Sequence, residues 1–355
     1  MKKVTKIFGM MSMAAILALG ASSCRKVVSE VSSLNVSLPA IEGESGINDD
    51  SKAYIDMTDD YMKWYEGDNV MMYSIDEDYT KSQAMVFVGD AGISGQQVAH
   101  FTGYAMPQGS YGFFAFYPAS KASTTITNGN RVSFNVGDTQ ECKTDLFAST
   151  AYAGRIYTDP AGFVGAGPCT VIEPYASFNM KHIFGYYNVR VKNTSLDNGQ
   201  SYGRLKSVTI TDSDKYLTGT MSINIPALVD EDLEAMKTLG LNYKANGNKE
   251  AYLTDMEEVL QRLGYMATGA GHEVTLDCSK ANGNMGASIT NKNKFFLMPL
   301  RPGALLGNFT ITLKFYDRED VTVNVPANKQ YISIPGYYTI ISIDLAQPNG
   351  GFTQP

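Results

Sequence analysis

The sequence predicts a mostly β chain, with a β-sandwich in each half and a helical insertion in the second. Three observations predict it. Of 355 residues only 18% are charged, below the usual quarter, while Gly (33), Tyr (22) and Phe (16) are abundant, which suits pleated sheets better than helical bundles. Short runs of alternating apolar and polar residues recur at a spacing of roughly ten residues, with turn residues between them. One stretch, 227–263, departs from this and carries apolar residues at near-helical spacing. The 44% hydrophobic content excludes a disordered chain, and the length fits about two domains. A net charge of −7 gives the long-range field the wrong sign for nucleic acid or anionic headgroups, so neither is an expected partner.

Residues 1–23 are processing signal rather than fold. Lys2, Lys3 and Lys6 form a positive start, and Ile7–Gly20 is an apolar run too short for a lasting membrane span. It ends at Ala21-Ser22-Ser23-Cys24, which resembles the bacterial lipoprotein signal, with Cys24 the lipidated residue. Removing this segment takes away three lysines and no acid, so the mature chain is more acidic still. No later run of about eighteen apolar residues follows, which leaves the lipid on Cys24 as the expected membrane attachment.

The first strand is expected at Leu34-Asn35-Val36-Ser37-Leu38, where apolar and polar residues alternate up to Pro39. Residues 42–52 have no apolar period and read as an exposed acidic loop; from Val27 to Met62, Lys52 is the only basic residue. Trp64-Tyr65-Glu66-Gly67-Asp68 reads as a turn before a strand at Val70–Tyr73. Further strands are expected at 84–88, 111–117 and Arg131–Val136, with 145–152 and 155–174 weakly patterned. The texture changes near Pro174, which places the division between residues 24–174 and 175–355. In the second half, strands are expected at Tyr186–Val191, Val208–Thr211, Met221–Ile225, Glu273–Leu276, Lys294–Met298, Phe309–Tyr316 and Val321–Val325. A last pair, Tyr331–Ile334 and Tyr338–Leu345, is joined at Pro335-Gly336. In the terminal strand Tyr338, Ile340, Ile341, Ile343 and Leu345 are the apolar positions.

Sequence signals for catalysis are sparse. His100, His182 and His272 have no metal-ligand spacing, no Gly-x-Ser-x-Gly elbow is present, and no phosphate-binding glycine loop lies between a strand and a helix. Asp76-Glu77-Asp78 lacks the twelve-residue calcium-loop pattern and reads as a solvated turn. Cys142, Cys169 and Cys278 are odd in number and widely separated; buried apolar thiols are the simplest reading, and a Cys142–Cys169 disulfide stays open. The aromatic run Tyr111–Tyr117 reads as sandwich core before a sugar-stacking platform. The expectation is therefore a non-enzyme without metal or cofactor.

Several stretches, taken in order, resemble the fimbrillin family, the pilin subunits of type V pili in Bacteroidia-type bacteria. They are the signal ending at Cys24, Leu34–Leu38 with Pro39, Trp64-x-x-Gly67-Asp68, Tyr111-x-x-x-Ala115-Phe116-Tyr117-Pro118, and Asp145-Leu146-Phe147-Ala148. Phe178-x-Met180-Lys181-His182-Ile183-Phe184, Phe295-Phe296-Leu297-Met298-Pro299 and Pro335-Gly336-Tyr337-Tyr338 complete the set. The insertion at 227–263 departs from the common pattern.

The resemblance implies two transthyretin-like β-sandwich domains in tandem, in an exported lipoprotein held at the outer membrane through Cys24 before processing. It also implies a protease cut after a basic residue behind the first strand, for which Lys52 is the candidate. The strand bearing Leu34, Val36 and Leu38 then leaves, and another pilus subunit supplies its replacement. A tip or accessory position fits better than a stalk, because the ten residues after the terminal strand lack alternation; an anchor is the third position. The alternative is a glycan-binding surface lipoprotein of a nutrient-uptake system, stacking sugars on Trp64, Tyr65 and Tyr117. A hydrolase ranks third.

Overall fold

The computed structural model describes residues 33–38, 55–56, 61–64, 66–75, 82–104, 112–117, 119, 131–141, 156–158, 165–167, 169–172, 175–182, 185–213, 217–224, 235, 238–239, 255, 258–259, 266–300, 305–306, 308–329, 331–332 and 337–352. These are mostly strand. Nine strands form the first sheet, in the order Cys169–Ile172, Tyr175–Asn179, Ser33–Ser37, Val98–Thr102, Ser82–Gly89, Asn69–Ile75, Gly112–Tyr117, Gly165–Gly167 and Lys181–His182. A four-stranded sheet follows the order Ile156–Thr158, Lys294–Leu300, Gly185–Lys192, Tyr338–Asp344. Val321–Val325, Phe309–Phe315, Gly203–Thr211, Glu273–Asp277 and Thr139–Glu141 form another, with Ala287–Ile289 pairing Gly203–Thr211 as well. A smaller sheet joins Met266–Gly271, Thr218–Asn224 and Arg131–Val136.

The sheets stack in layers through their side-chain alternation. On the first sheet, Leu34, Val36, Val70, Met72, Phe87, Ala99, Phe101, Ala115 and Phe178 point one way into a shared core. That core also takes in Tyr186, Phe295, Leu297 and Tyr338 of the four-stranded sheet. The intervening residues of that sheet, among them Tyr187, Val189, Val191, Phe296, Met298 and Ile341, turn to a second core. There they meet Val208, Ile210, Val274, Leu276, Ile311 and Leu313 of the adjoining sheet. A sheet buried on both faces carries near-continuous apolar runs, and Gly185–Lys192 and Lys294–Leu300 have such runs.

Strand pairing crosses the expected division at 174/175 in both directions. Tyr175–Asn179 and Lys181–His182 lie in the first sheet, whereas Arg131–Val136, Thr139–Glu141 and Ile156–Thr158 pair with strands from beyond residue 190. A change of composition marks a change of local texture, and pairing between distant segments is free to ignore it. The two strands expected on either side of Pro335-Gly336 have separate partners: Tyr331–Ile332 pairs Leu305–Leu306, and Tyr338–Asp344 pairs Gly185–Lys192 in parallel. Alternation identifies a strand and its buried face, and it does not name the neighbour. Within 227–263 the described residues 235, 238–239, 255 and 258–259 are helical, and the extent of the insertion lies outside the described residues.

Candidate functional site

The first strand occupies an interior position. Ser33–Ser37 pairs antiparallel with Val98–Thr102 (Leu34 opposite Phe101, Val36 opposite Ala99) and parallel with Tyr175–Asn179 (Val36 opposite Phe178). Alternation turns Leu34, Val36 and Leu38 to the core, at 0%, 0% and 4% exposure. Burying three such side chains contributes roughly 1.5–3 kcal/mol each. Hydrogen bonds continue past the strand end: Leu38 N–H donates to Gln97 O at 3.1 Å and Met180 N–H to Ser37 O at 2.9 Å. The Gln97 side-chain amide donates to Leu38 O at 3.2 Å.

The Trp64-x-x-Gly67-Asp68 motif is built against this strand. Trp64 is fully buried and its indole N–H donates to Val36 O at 2.9 Å. Gly67 takes φ +92°, a left-handed conformation that glycine adopts freely, and reverses the chain into Asn69–Ile75. The Asp68 carboxylate accepts from the Tyr117 hydroxyl at 2.9 Å, and its carbonyl accepts from Gly89 N–H at 3.0 Å. One turn thus ties the first strand to Ser82–Gly89 and Gly112–Tyr117, the two strands that flank Asn69–Ile75 in the same sheet.

Trp64 at 0% exposure and Tyr117 at 2% are core residues, so neither presents a face to a sugar. Sugar stacking needs an accessible ring, and that corrects the roles given to them in the glycan-binding alternative. Tyr65 lies outside the described residues, as do Cys24, Lys52, Cys142 and Asp76–Asp78. Cys278 is a buried free thiol that donates weakly to Leu276 O at 3.6 Å. His100 contacts the Asp90 carboxylate at 2.6 Å, and His272 is exposed. Among the described residues no group of three or more His, Cys, Asp or Glu is placed to hold a metal, and no helix is long and apolar enough to cross a membrane.

The C-terminal strand lies at the edge of the four-stranded sheet, paired over Tyr186–Lys192. Tyr338 faces the first core, Ile341 and Ile343 the second, Ile340 is half-buried, and Leu345 packs partly buried against the second core. Leu345 N–H donates to Lys192 O at 2.8 Å, and the Thr194 N–H and hydroxyl donate to the Asp344 carboxylate at 3.0 and 2.7 Å. Past the strand, Pro348–Gly351 folds back onto the edge strand Val321–Val325. The Asn349 side chain accepts from Asn324 N–H at 2.9 Å and donates to Asn324 O at 2.8 Å, as a neighbouring strand would. The terminal strand is therefore pinned at its far end.

Partial burial works to raise the Asp344 pKa, but the Thr194 N–H and hydroxyl, the Ala346 N–H and the Lys192 charge outweigh it and hold the carboxyl below its ordinary value. A carboxyl lowered in the folded state contributes stability above its unfolded pKa and loses it as pH falls through the folded value. Amide exchange at Thr194 and Leu345 should therefore accelerate as pH drops below about 4, after correction for intrinsic rates. Asp344→Asn should abolish that acid dependence.

No protein-family model matches the chain, and no curated relative matches it by sequence. Among solved structures it is similar to a putative cell adhesion protein from Bacteroides uniformis, at 13% identity and TM-score 0.40, covering 89% of this chain and 94% of that one. It is also similar to a fimbrial protein from Bacteroides vulgatus (11% identity, TM-score 0.36, 90% and 96% covered). A fimbrial assembly protein from Parabacteroides distasonis resembles it at 11% identity and TM-score 0.34, with 89% and 90% covered. These neighbours are Bacteroidia fimbrial and cell-adhesion proteins. At such TM-scores the likeness carries no argument of its own.

Proposed function

We propose that this chain is a structural subunit of a fimbrillin-type surface pilus, exported as a lipoprotein through Cys24 and assembled by exchange of its first strand. The observation that supports this most is the place of residues 33–38: an N-terminal strand in the interior of a sheet, its neighbours contributed by segments far along the chain. Taking it out would open the strand edges at Val98–Thr102 and Tyr175–Asn179 and uncover the core behind Leu34, Val36 and Leu38. Such a gap favours any strand that restores both the pairing and the burial. Polymerisation then needs no new chemistry beyond one peptide-bond cleavage.

The cut is assigned to the peptide bond after Lys52, the one basic residue from Val27 to Met62. The two halves would be transthyretin-like sandwiches that exchange strands across the division near 174/175, with the insertion at 227–263 in the second. The pinned end of the terminal strand, with Asn349 closing the edge beside it, favours a subunit that accepts a strand without donating one, a tip or accessory position. The partners would be other pilus subunits, and the final location the cell-surface pilus.

The test is a chain with a specific protease site placed within residues 42–52. After cutting, it should lose residues up to the site and, with a partner subunit, form ladders on denaturing gels. A cut chain that stays monomeric with the rest of its sequence intact would contradict the assignment.

A further inference from the structure

Trp64 is the single tryptophan of the chain, and its surroundings fix where its N–H points. The main chain is held on both sides, with Trp64 N–H donating to Gln96 O at 2.7 Å and Gly95 N–H donating to Trp64 O at 2.9 Å. The ring lies edge-to-face on Phe101 at 4.8 Å and on Tyr117 at 4.9 Å. Two perpendicular aromatic contacts leave the fully buried indole little freedom to turn. Its donor is thus held on Val36 O.

The acceptor is a main-chain carbonyl, which every residue possesses. The other contacts at this end of the slot follow the same rule: Gln97 O takes a main-chain N–H, the Gln97 side-chain amide reaches a carbonyl, and Met180 N–H reaches another. Side chains enter the recognition through the apolar row Leu34, Val36 and Leu38, and through the Ser37 hydroxyl, which donates to Phe178 O at 3.3 Å. Successive carbonyls of a strand point to opposite edges, and successive side chains to opposite faces. A one-residue slip would therefore turn the apolar row outward and swing the carbonyl away from the indole together.

We propose that Trp64 is the specificity-determining residue of the slot: its indole N–H reads the main-chain carbonyl of whatever strand fills the place of residues 33–38. The slot thereby accepts a strand from another polypeptide chain, defined by alternate apolar side chains in one register class rather than by one sequence. The inference rests on the strand-exchange reading and adds to it the residue that fixes the occupant's register. With the slot empty, the indole N–H would lose its protein acceptor, so vacancy and occupancy differ at a single reporter.

The experiment uses the full chain with the protease site within residues 42–52, after release of the strand, and two synthetic peptides of residues 32–39. One peptide is natural; in the other the Val36–Ser37 amide is an ester, whose carbonyl is a weaker acceptor. Release should shift tryptophan emission to the red, and the natural peptide should return it. By calorimetry, Trp64→Phe should bind the natural peptide about tenfold more weakly, the equivalent of one buried hydrogen bond. The ester should cost several-fold more affinity in the unaltered chain than in Trp64→Phe, since only the former has an indole to miss the carbonyl. An equal ester cost in both proteins overturns the proposal while leaving strand exchange standing. A cut chain that never releases residues 33–38 overturns both. Should Trp64→Phe not fold, the lone indole N–H resonance decides: protection from solvent exchange should come and go with the peptide, and protection that persists in the empty slot overturns the proposal.

Discussion

Val36→Asp should destabilise the chain by at least about 3 kcal/mol, read as a fall in the urea midpoint. Val36 is fully buried, its side chain lies in the first core, and its main chain is paired on both sides. A carboxylate there has no partner among the core residues, which are apolar and aromatic. Because the strand is an insert between two others, the loss should appear first as local release of residues 33–38. The opened slot should then drive self-association, seen by light scattering at concentrations where the parent chain is monomeric. A variant that stays monomeric and as stable as the parent would mean that Val36 is not seated in the core.

Asn188→Leu should have a large effect of the opposite sign. Asn188 is fully exposed to neither water nor partner: it is 0% accessible, and neither atom of its side-chain amide has a hydrogen-bond partner among the described residues. It lies opposite Leu297 and Ile340 in the middle of the four-stranded sheet and shares a face with Tyr186. An unsatisfied buried amide costs roughly 1–3 kcal/mol, and leucine of similar size removes that cost and adds apolar contact. Urea unfolding should show a gain of about that size. A loss of more than about 1 kcal/mol would show that the amide is bonded in solution.

The sequence made the strands legible and the slot much less so. Alternation located the first strand with its three core residues, and Arg131–Val136 and Val321–Val325 are found at their expected bounds. Neither wall of the slot was anticipated. Val98–Thr102 buries only Ala99 and Phe101, on either side of a histidine, too short a pattern to stand out. Tyr175–Asn179 follows a Gly- and Pro-rich stretch, and its parallel pairing joins residues far apart in the chain. Parallel partners need a long crossover, and nothing local encodes which strand lies at its end. The same limit explains the terminal strand, whose burial was readable from Ile341 and Ile343 but whose neighbour was not.

Trp64 illustrates the other kind of loss. Its motif with Gly67 and Asp68 was visible as a turn, and so was its standing as the chain's one tryptophan. That its indole closes on Val36 O depends on packing against Phe101 and Tyr117, which no spacing reveals. The useful signal was the combination of one large aromatic donor with a fixed turn close behind an alternating strand. The pinning of Asp344 and the Asn349 clasp were equally silent, since each joins a terminal polar residue to a distant backbone.

On the strand-exchange proposal, residues 33–38 are a replaceable occupant of the first sheet. Mass spectrometry of the loop-cut chain, mixed with excess isotope-labelled peptide of residues 32–39, tests it most directly. The labelled peptide should displace the original strand while the rest of the chain stays folded. Retention of the original strand for as long as the protein remains folded would contradict it.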